Sequence, residues 1–189
     1  MSKALTTLIT IAALLTACAQ PEILVPRDNT VPAGVDLTGK WQIRADMADD
    51  QRKLRDAIRK TSGARSSSGS RNSKPRKVKG GVVHVFLETG ELLKITQTAH
   101  GLFISFDRSI VEEYRFGERR VISIGEVQAQ RVTGWEGQQL IVETLDKHGV
   151  KLTDRFELTN NGQSLHREIT LRSKKHEEQT VIQEFDKVE

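Results

Sequence analysis

The sequence has one cysteine in 189 residues, at position 18. No internal disulfide can form, so the fold must rest on a packed core. No stretch has the roughly 20 consecutive apolar residues that a bilayer-spanning helix needs. The usual catalytic patterns are missing as well. The five histidines, His84, His100, His148, His166 and His176, never pair with another His or Cys at the spacing of a zinc site. Residues 63–69 (GARSSSG) do not spell a nucleophile elbow, and no phosphate loop with Gly-Lys-Ser/Thr occurs. Glu112-Glu113 and Glu177-Glu178 are adjacent pairs. Neighbours in a strand point to opposite faces, so neither pair can work as acid and base together, and both read as solvated. The sequence therefore predicts a protein that is not an enzyme, with no catalytic residues, no bound metal and no cofactor.

What is present begins at the N-terminus. Lys3 precedes an uncharged apolar run from Ala4 to Ala17. That run has the length of a signal peptide's hydrophobic region and is too short to span. It ends in Leu15-Thr16-Ala17-Cys18, which resembles a bacterial lipobox. The resemblance implies that residues 1–17 are a cleaved signal peptide and that Cys18 carries acyl chains. Two chains suffice for stable membrane anchoring, at about 0.8 kcal/mol per buried methylene. Position 19 is Ala rather than Asp, which is similar to outer-membrane sorting signals and implies a periplasm-facing protein on that membrane.

About 172 residues follow the predicted cleavage site, enough for one domain. Residues 18–36 hold three prolines and little periodicity, and read as a flexible tether. Within 37–44, Trp41 and Ile43 alternate with polar neighbours, as in a strand. Residues 46–60 place Met47, Leu54, Ala57 and Ile58 at helical spacing, with acids early and bases late. Residues 61–81 are rich in Ser, Gly, Lys and Arg and predict a disordered linker. Helix and linker together read as an insertion outside the core. From Val82 onward, strands are expected near 82–88, 91–97, 101–107, 110–116, 120–133, 137–145, 150–158, 164–172 and 178–186, separated by turn signals such as His148-Gly149 and Asn160-Asn161-Gly162. No long helical pattern lies between them, so the strands should be antiparallel neighbours. The expected fold is mainly β: an up-and-down barrel of about 8–10 strands over residues 37–189, with one short helix and a basic linker inserted after the first strand.

Gly39-Lys40-Trp41 resembles the Gly-x-Trp that opens lipocalin-like barrels. The order of parts, together with Trp135-Glu136-Gly137-Gln138-Gln139-Leu140-Ile141-Val142-Glu143 and Leu158-Thr159-Asn160-Asn161-Gly162-Gln163-Ser164-Leu165, is similar to a group of exported bacterial barrel lipoproteins that no single activity defines. The likeness spans roughly residues 37–172. It implies structural roles for Gly39, Trp41, Trp135 and Gly137. Lipocalins lack the basic insertion, so their ligand pocket does not carry over. From their size alone, the two tryptophans either plug the barrel or line a cavity.

Charge is concentrated in one place. Residues 52–79 carry eleven basic residues against Asp56, a net +10, so the rest of this +4 chain is acidic. Such an arm attracts polyanions. Export makes nucleic acid an unsuitable partner and leaves anionic lipid headgroups or lipopolysaccharide, with Arg71, Lys74, Arg76, Lys77 and Lys79 as the candidate contacts. The alternative is a plain solvated linker. Two functions follow. The first is a membrane-anchored interaction or structural lipoprotein. The second is a carrier of a small apolar ligand inside the barrel. A barrel packed solid favours the first, and a vacant interior the second.

Overall fold

The structure is a computed structural model that describes residues 22–47, 50–61 and 85–189. In it the alternating segments form ten strands: β1 (Gly39–Ile43), β2 (Leu92–Gln97), β3 (Gly101–Phe106), β4 (Ile110–Arg115), β5 (Arg119–Ile124), β6 (Val127–Glu136), β7 (Gln139–Asp146), β8 (Lys151–Thr159), β9 (Ser164–Arg172) and β10 (Glu178–Val188). They make one sheet in the order β4-β3-β2-β1-β10-β9-β8-β7-β6-β5, with every pair antiparallel. Among the described strands, β1 and β10 are the only hydrogen-bonded pair that is not consecutive in sequence, and Trp41 faces Lys187 across it. The sheet curls into an up-and-down barrel. β4 and β5 are its two edges; they do not pair, and β4 lies against β6 instead. The barrel is thus open along one seam.

Two strand expectations change. The stretch 120–133 is not one strand, because Gly125 turns at φ +59° and splits it into β5 and β6. Residues 85–86 lie in a 3-10 turn rather than a strand, and 82–84 are outside the described residues.

Inward side chains form two apolar clusters. The larger holds Trp41, Phe106, Phe116, Trp135, Leu140, Phe156, Leu165 and Phe185, among others. The smaller lies at the opposite end, where helix α1 (Asp50–Thr61) closes the barrel. There Leu54 and Ala57 are buried with Val150, Leu152, Ile169, Leu171 and Val181. The expectation that the helix lies outside the core is therefore corrected. Its apolar stripe buries in the barrel mouth, and a leucine such as Leu54 contributes about 1.5–3 kcal/mol when buried. These ends are called the helix end and the far end below.

The expected flexible tether is also corrected from Glu22 onward. Leu24 is buried against Val132 and Leu145 on the outer face of β6 and β7. The Trp135 backbone N–H donates to the Asp28 carbonyl at 2.9 Å. Gly134 permits this approach: a Cβ there would fall 2.4 Å from the Asp28 oxygen. Charges fix the rest of the strap. Arg27 reaches Glu136 at 2.7 Å and Glu143 at 3.0 Å, Glu143 also meets Lys151, and Glu22 meets Arg172 and lies 3.6 Å from Lys151. A lone leucine in a proline-rich stretch gave no periodic signal, so composition alone missed the contact.

The strap makes a pH prediction. Burial pushes the Glu143 carboxyl upward, but Lys151 and Arg27 outweigh it and hold the group below its ordinary 4.5. A lowered folded pKa stabilises fully above the ordinary value, and that stabilisation fades as pH falls through the folded value. Glu143→Gln is expected to cost about 2 kcal/mol at neutral pH. The deficit should be smaller at pH 3 than at pH 7 in urea unfolding. An equal deficit at both would reject the assignment.

Candidate functional site

Between the two apolar clusters lies a layer of buried polar groups. Strand parity builds it. β8 presents Leu152, Asp154 and Phe156 inward; β9 presents Leu165, Arg167, Ile169 and Leu171; β10 presents Val181, Gln183 and Phe185. Each strand sets one polar residue inward: Arg167 and Gln183 are paired in register, and Asp154 lies diagonally from Arg167, opposite Ile169. The Arg167 guanidinium donates to Asp154 at 2.9 and 2.5 Å, to Gln183 Oε1 at 3.2 Å and to the Glu88 carbonyl at 2.9 Å. It also lies 5.5 Å from the Phe106 ring and 5.2 Å from the Phe156 ring. Burial works against its charge, but Asp154 outweighs burial and keeps it protonated.

A second cation continues the layer toward the seam. Arg131 on β6 donates to Thr144 Oγ1 at 3.3 Å and to Glu112 Oε2 at 2.7 Å, and lies 5.2 Å from the Tyr114 ring. Glu112 and Tyr114 belong to β4, so this ion pair bridges the gap the backbone leaves open. Phe86 covers Arg131 from the loop before β2, at 5.9 Å. Burial pushes the Tyr114 hydroxyl pKa upward, so the ring stays neutral. Burial and then the nearby Glu112 charge raise the Glu88 carboxyl. Five buried side-chain atoms among the described residues have no hydrogen-bond partner, and one of them, Gln183 Nε2, belongs to this layer; Trp135 Nε1 is another. An unmet buried donor costs about 1–3 kcal/mol, and a buried ion pair seldom outperforms apolar packing. The layer is costly for stability alone, which marks it as the candidate site.

The predicted site residues fall as follows. Cys18 and the basic set Arg71, Lys74, Arg76, Lys77 and Lys79 lie outside the described residues. Trp41 is fully buried, with Nε1 donating to the Leu37 carbonyl at 3.0 Å. At Gly39 a Cβ would come within 3.0 Å of Lys187 Cε, whose ammonium sits 5.2 Å over the Trp41 ring. Trp135 meets Phe116 edge-on at 5.5 Å, and Gly137 turns at φ +60° just after it. Glu112 and Glu113 do face opposite sides, as alternation demands. Glu112 is not solvated as expected, however, because it turns in to Arg131, whereas Glu113 meets Arg115 outside at 2.9 Å. His166 Nδ1 is 2.5 Å from Glu184 Oε1, and His100, His148 and His176 are exposed near turns. Among the described residues no group of His, Cys, Asp or Glu could hold a metal ion, and no helix is long and apolar enough to cross a membrane.

No family model matches the sequence, and no curated protein matches it. Solved structures similar to the chain include secretory abundant heat soluble protein 4 from Ramazzottius varieornatus, at 16% identity and TM-score 0.48, covering 81% of this chain and 95% of that one. The REP1-NXSQ fatty acid transporter is similar at 13% identity and TM-score 0.47, covering 82% and 97%. The zebrafish ileal bile acid-binding protein, solved with cholic acid, is similar at 12% identity and TM-score 0.45, covering 80% and 98%.

Proposed function

We propose that this chain is a non-enzymatic barrel that binds a small amphiphile with an acidic head, held on the periplasmic face of the outer membrane by acyl chains on Cys18. One observation carries the binding part: two arginines buried between apolar clusters, one of them closing an open seam. An apolar tail would take the place of cluster side chains, and the head would displace Glu112 from Arg131. Unpartnered Gln183 Nε2 offers a further donor. The basic residues 65–79 remain a proposed contact with anionic envelope lipid.

A titration tests this. Oleate or cholate is expected to quench or shift the emission of Trp41 and Trp135 saturably. Arg131→Gln should weaken binding about 10-fold or more, the scale of one hydrogen bond to a charged group. No saturable response to either probe would reject the proposal. The competing reading, a structural or interaction lipoprotein with a solid barrel, is favoured by one fact. Trp41, Leu140, Phe156 and Phe185 have 0% exposure, so a ligand must move side chains to enter. A flat titration would support that reading.

A further inference from the structure

We propose that the helix end of the barrel faces the surface of an anionic lipid bilayer, a placement that rests on the lipid anchor at Cys18. The argument starts from the strap. The described chain begins at Glu22, and residues 19–21 alone separate it from Cys18. Four Cα steps reach at most about 14 Å. Glu22 is not free to swing, because it is held by Arg172 at the end of β9 and lies beside Lys151 at the start of β8. Both residues are at the helix end. The acyl chains therefore pull on that end, and the barrel cannot stand off from the membrane on a long leash.

The turns at the two ends differ in charge. At the far end the connections are residues 98–100, 116–118, 137–138 and 160–163, and none carries Lys or Arg. At the helix end they are residues 107–109, 125–126, 147–150 and 173–177, which bring Arg108, Lys147, Lys174 and Lys175, all exposed. Two of the nearby carboxylates are turned onto backbone. Asp146 accepts from the His148 and Val150 N–H groups, and Asp107 from those of Glu91 and Leu92. Glu91, Glu126, Glu177 and Glu178 remain exposed on this end. Lys147, Lys174 and Lys175 sit on the two turns that flank β8 and β9, beside the strap's exit. Anchor geometry and lysine placement thus point the same end at phosphate headgroups, and a lysine near an anionic bilayer is attracted to it.

The chain from Cys18 to Glu189 keeps every described residue. Its single thiol can be coupled to a maleimide phospholipid and the product placed in vesicles. One set contains phosphatidylglycerol and phosphatidylcholine in equal parts, the other phosphatidylcholine alone. Floated vesicles are treated with an amine-acetylating reagent, and each lysine is read by mass spectrometry. On the anionic vesicles, acetylation of Lys147, Lys174 and Lys175 is expected to fall several-fold, with Lys40 and Lys187 at the far end unchanged. Uniform labelling, or protection of Lys40 and Lys187 instead, would overturn the placement. The anchor itself is tested separately in cells, by fatty-acid labelling of wild type against Cys18→Ser. Absence of label from wild type would reject the anchor and leave the footprint of the coupled protein as an independent result.

Discussion

Replacing Arg167 with leucine is expected to cost about 3–5 kcal/mol, because Asp154 would stay buried with its partner gone. The Glu88 carbonyl and Gln183 Oε1 lose donors in the same step. Removing both charges reverses the sign of the argument. The double variant Arg167→Leu, Asp154→Leu leaves no unpaired ion and gains apolar contact with Phe106, Phe156 and Leu152. It should regain wild-type stability or exceed it by about 1–4 kcal/mol. Urea unfolding of the wild type, the single and the double variant reads this directly. The proposed function adds a second readout: the double variant should fold well and yet bind oleate at least about 10-fold more weakly, the scale of one hydrogen bond to a charged group. A single variant costing under 1 kcal/mol, or a double no better than the single, would mean that the pair is not the organising element described.

Trp41→Ala is expected to be the most damaging apolar change, at about 3–5 kcal/mol. Nothing at the far end can collapse into the space the ring leaves. It is fully buried among strands from both halves of the sheet, its N–H is bonded to Leu37, and Lys187 covers its face. For a domain of this size the loss corresponds to a fall of roughly 10 °C in Tm. A comparison sharpens the test. Trp41→Phe forfeits a made hydrogen bond, whereas Trp135→Phe removes an N–H that has no partner. The phenylalanine variant at 41 should therefore be the less stable of the two, by about 1 kcal/mol. The reverse order in thermal unfolding would contradict the assignment of the two indoles.

Much of this architecture is legible in the alternation of residues. β8 and β9 announce themselves because each keeps one apolar parity, Leu152, Phe156 and Leu158 in the first and Leu165, Ile169 and Leu171 in the second, bounded by His148-Gly149, by Asn160-Asn161-Gly162 and by a charged loop. β5 and β6 fuse into one expected strand because Val121, Ile122 and Ile124 run into Val127 across a turn of only two residues, Gly125-Glu126. The polar layer was written in the same alternation. Asp154 stands between Leu152 and Phe156, Arg167 between Leu165 and Ile169, and Gln183 between Val181 and Phe185, each at the parity of its apolar neighbours. A charge on the wrong face of one strand is unremarkable. That Asp154, Arg167 and Gln183 converge becomes visible only when register is known, and register depends on turn geometry that residue type does not fix. Arg131 and Glu112 were further from reach, since they meet across a gap between strands that are not hydrogen-bonded to each other. The strap was hidden for another reason: one leucine has no period.

The pairing of β1 with β10 bears on when the protein can fold. β1 takes its hydrogen bonds from β2 on one side and from the last strand of the chain on the other, with Gln42 opposite Asp186. A contact that joins the two ends of the sequence carries a large loop-closure cost and makes folding slow. A nascent chain lacking residues 178–188 has β1 and β9 as raw edges and Trp41 without Phe185 and Lys187. Residues 178–188 must therefore be synthesised before the barrel can form. The order of the strands thus leaves β1 and β9 without each other's bridging partner until β10 is made.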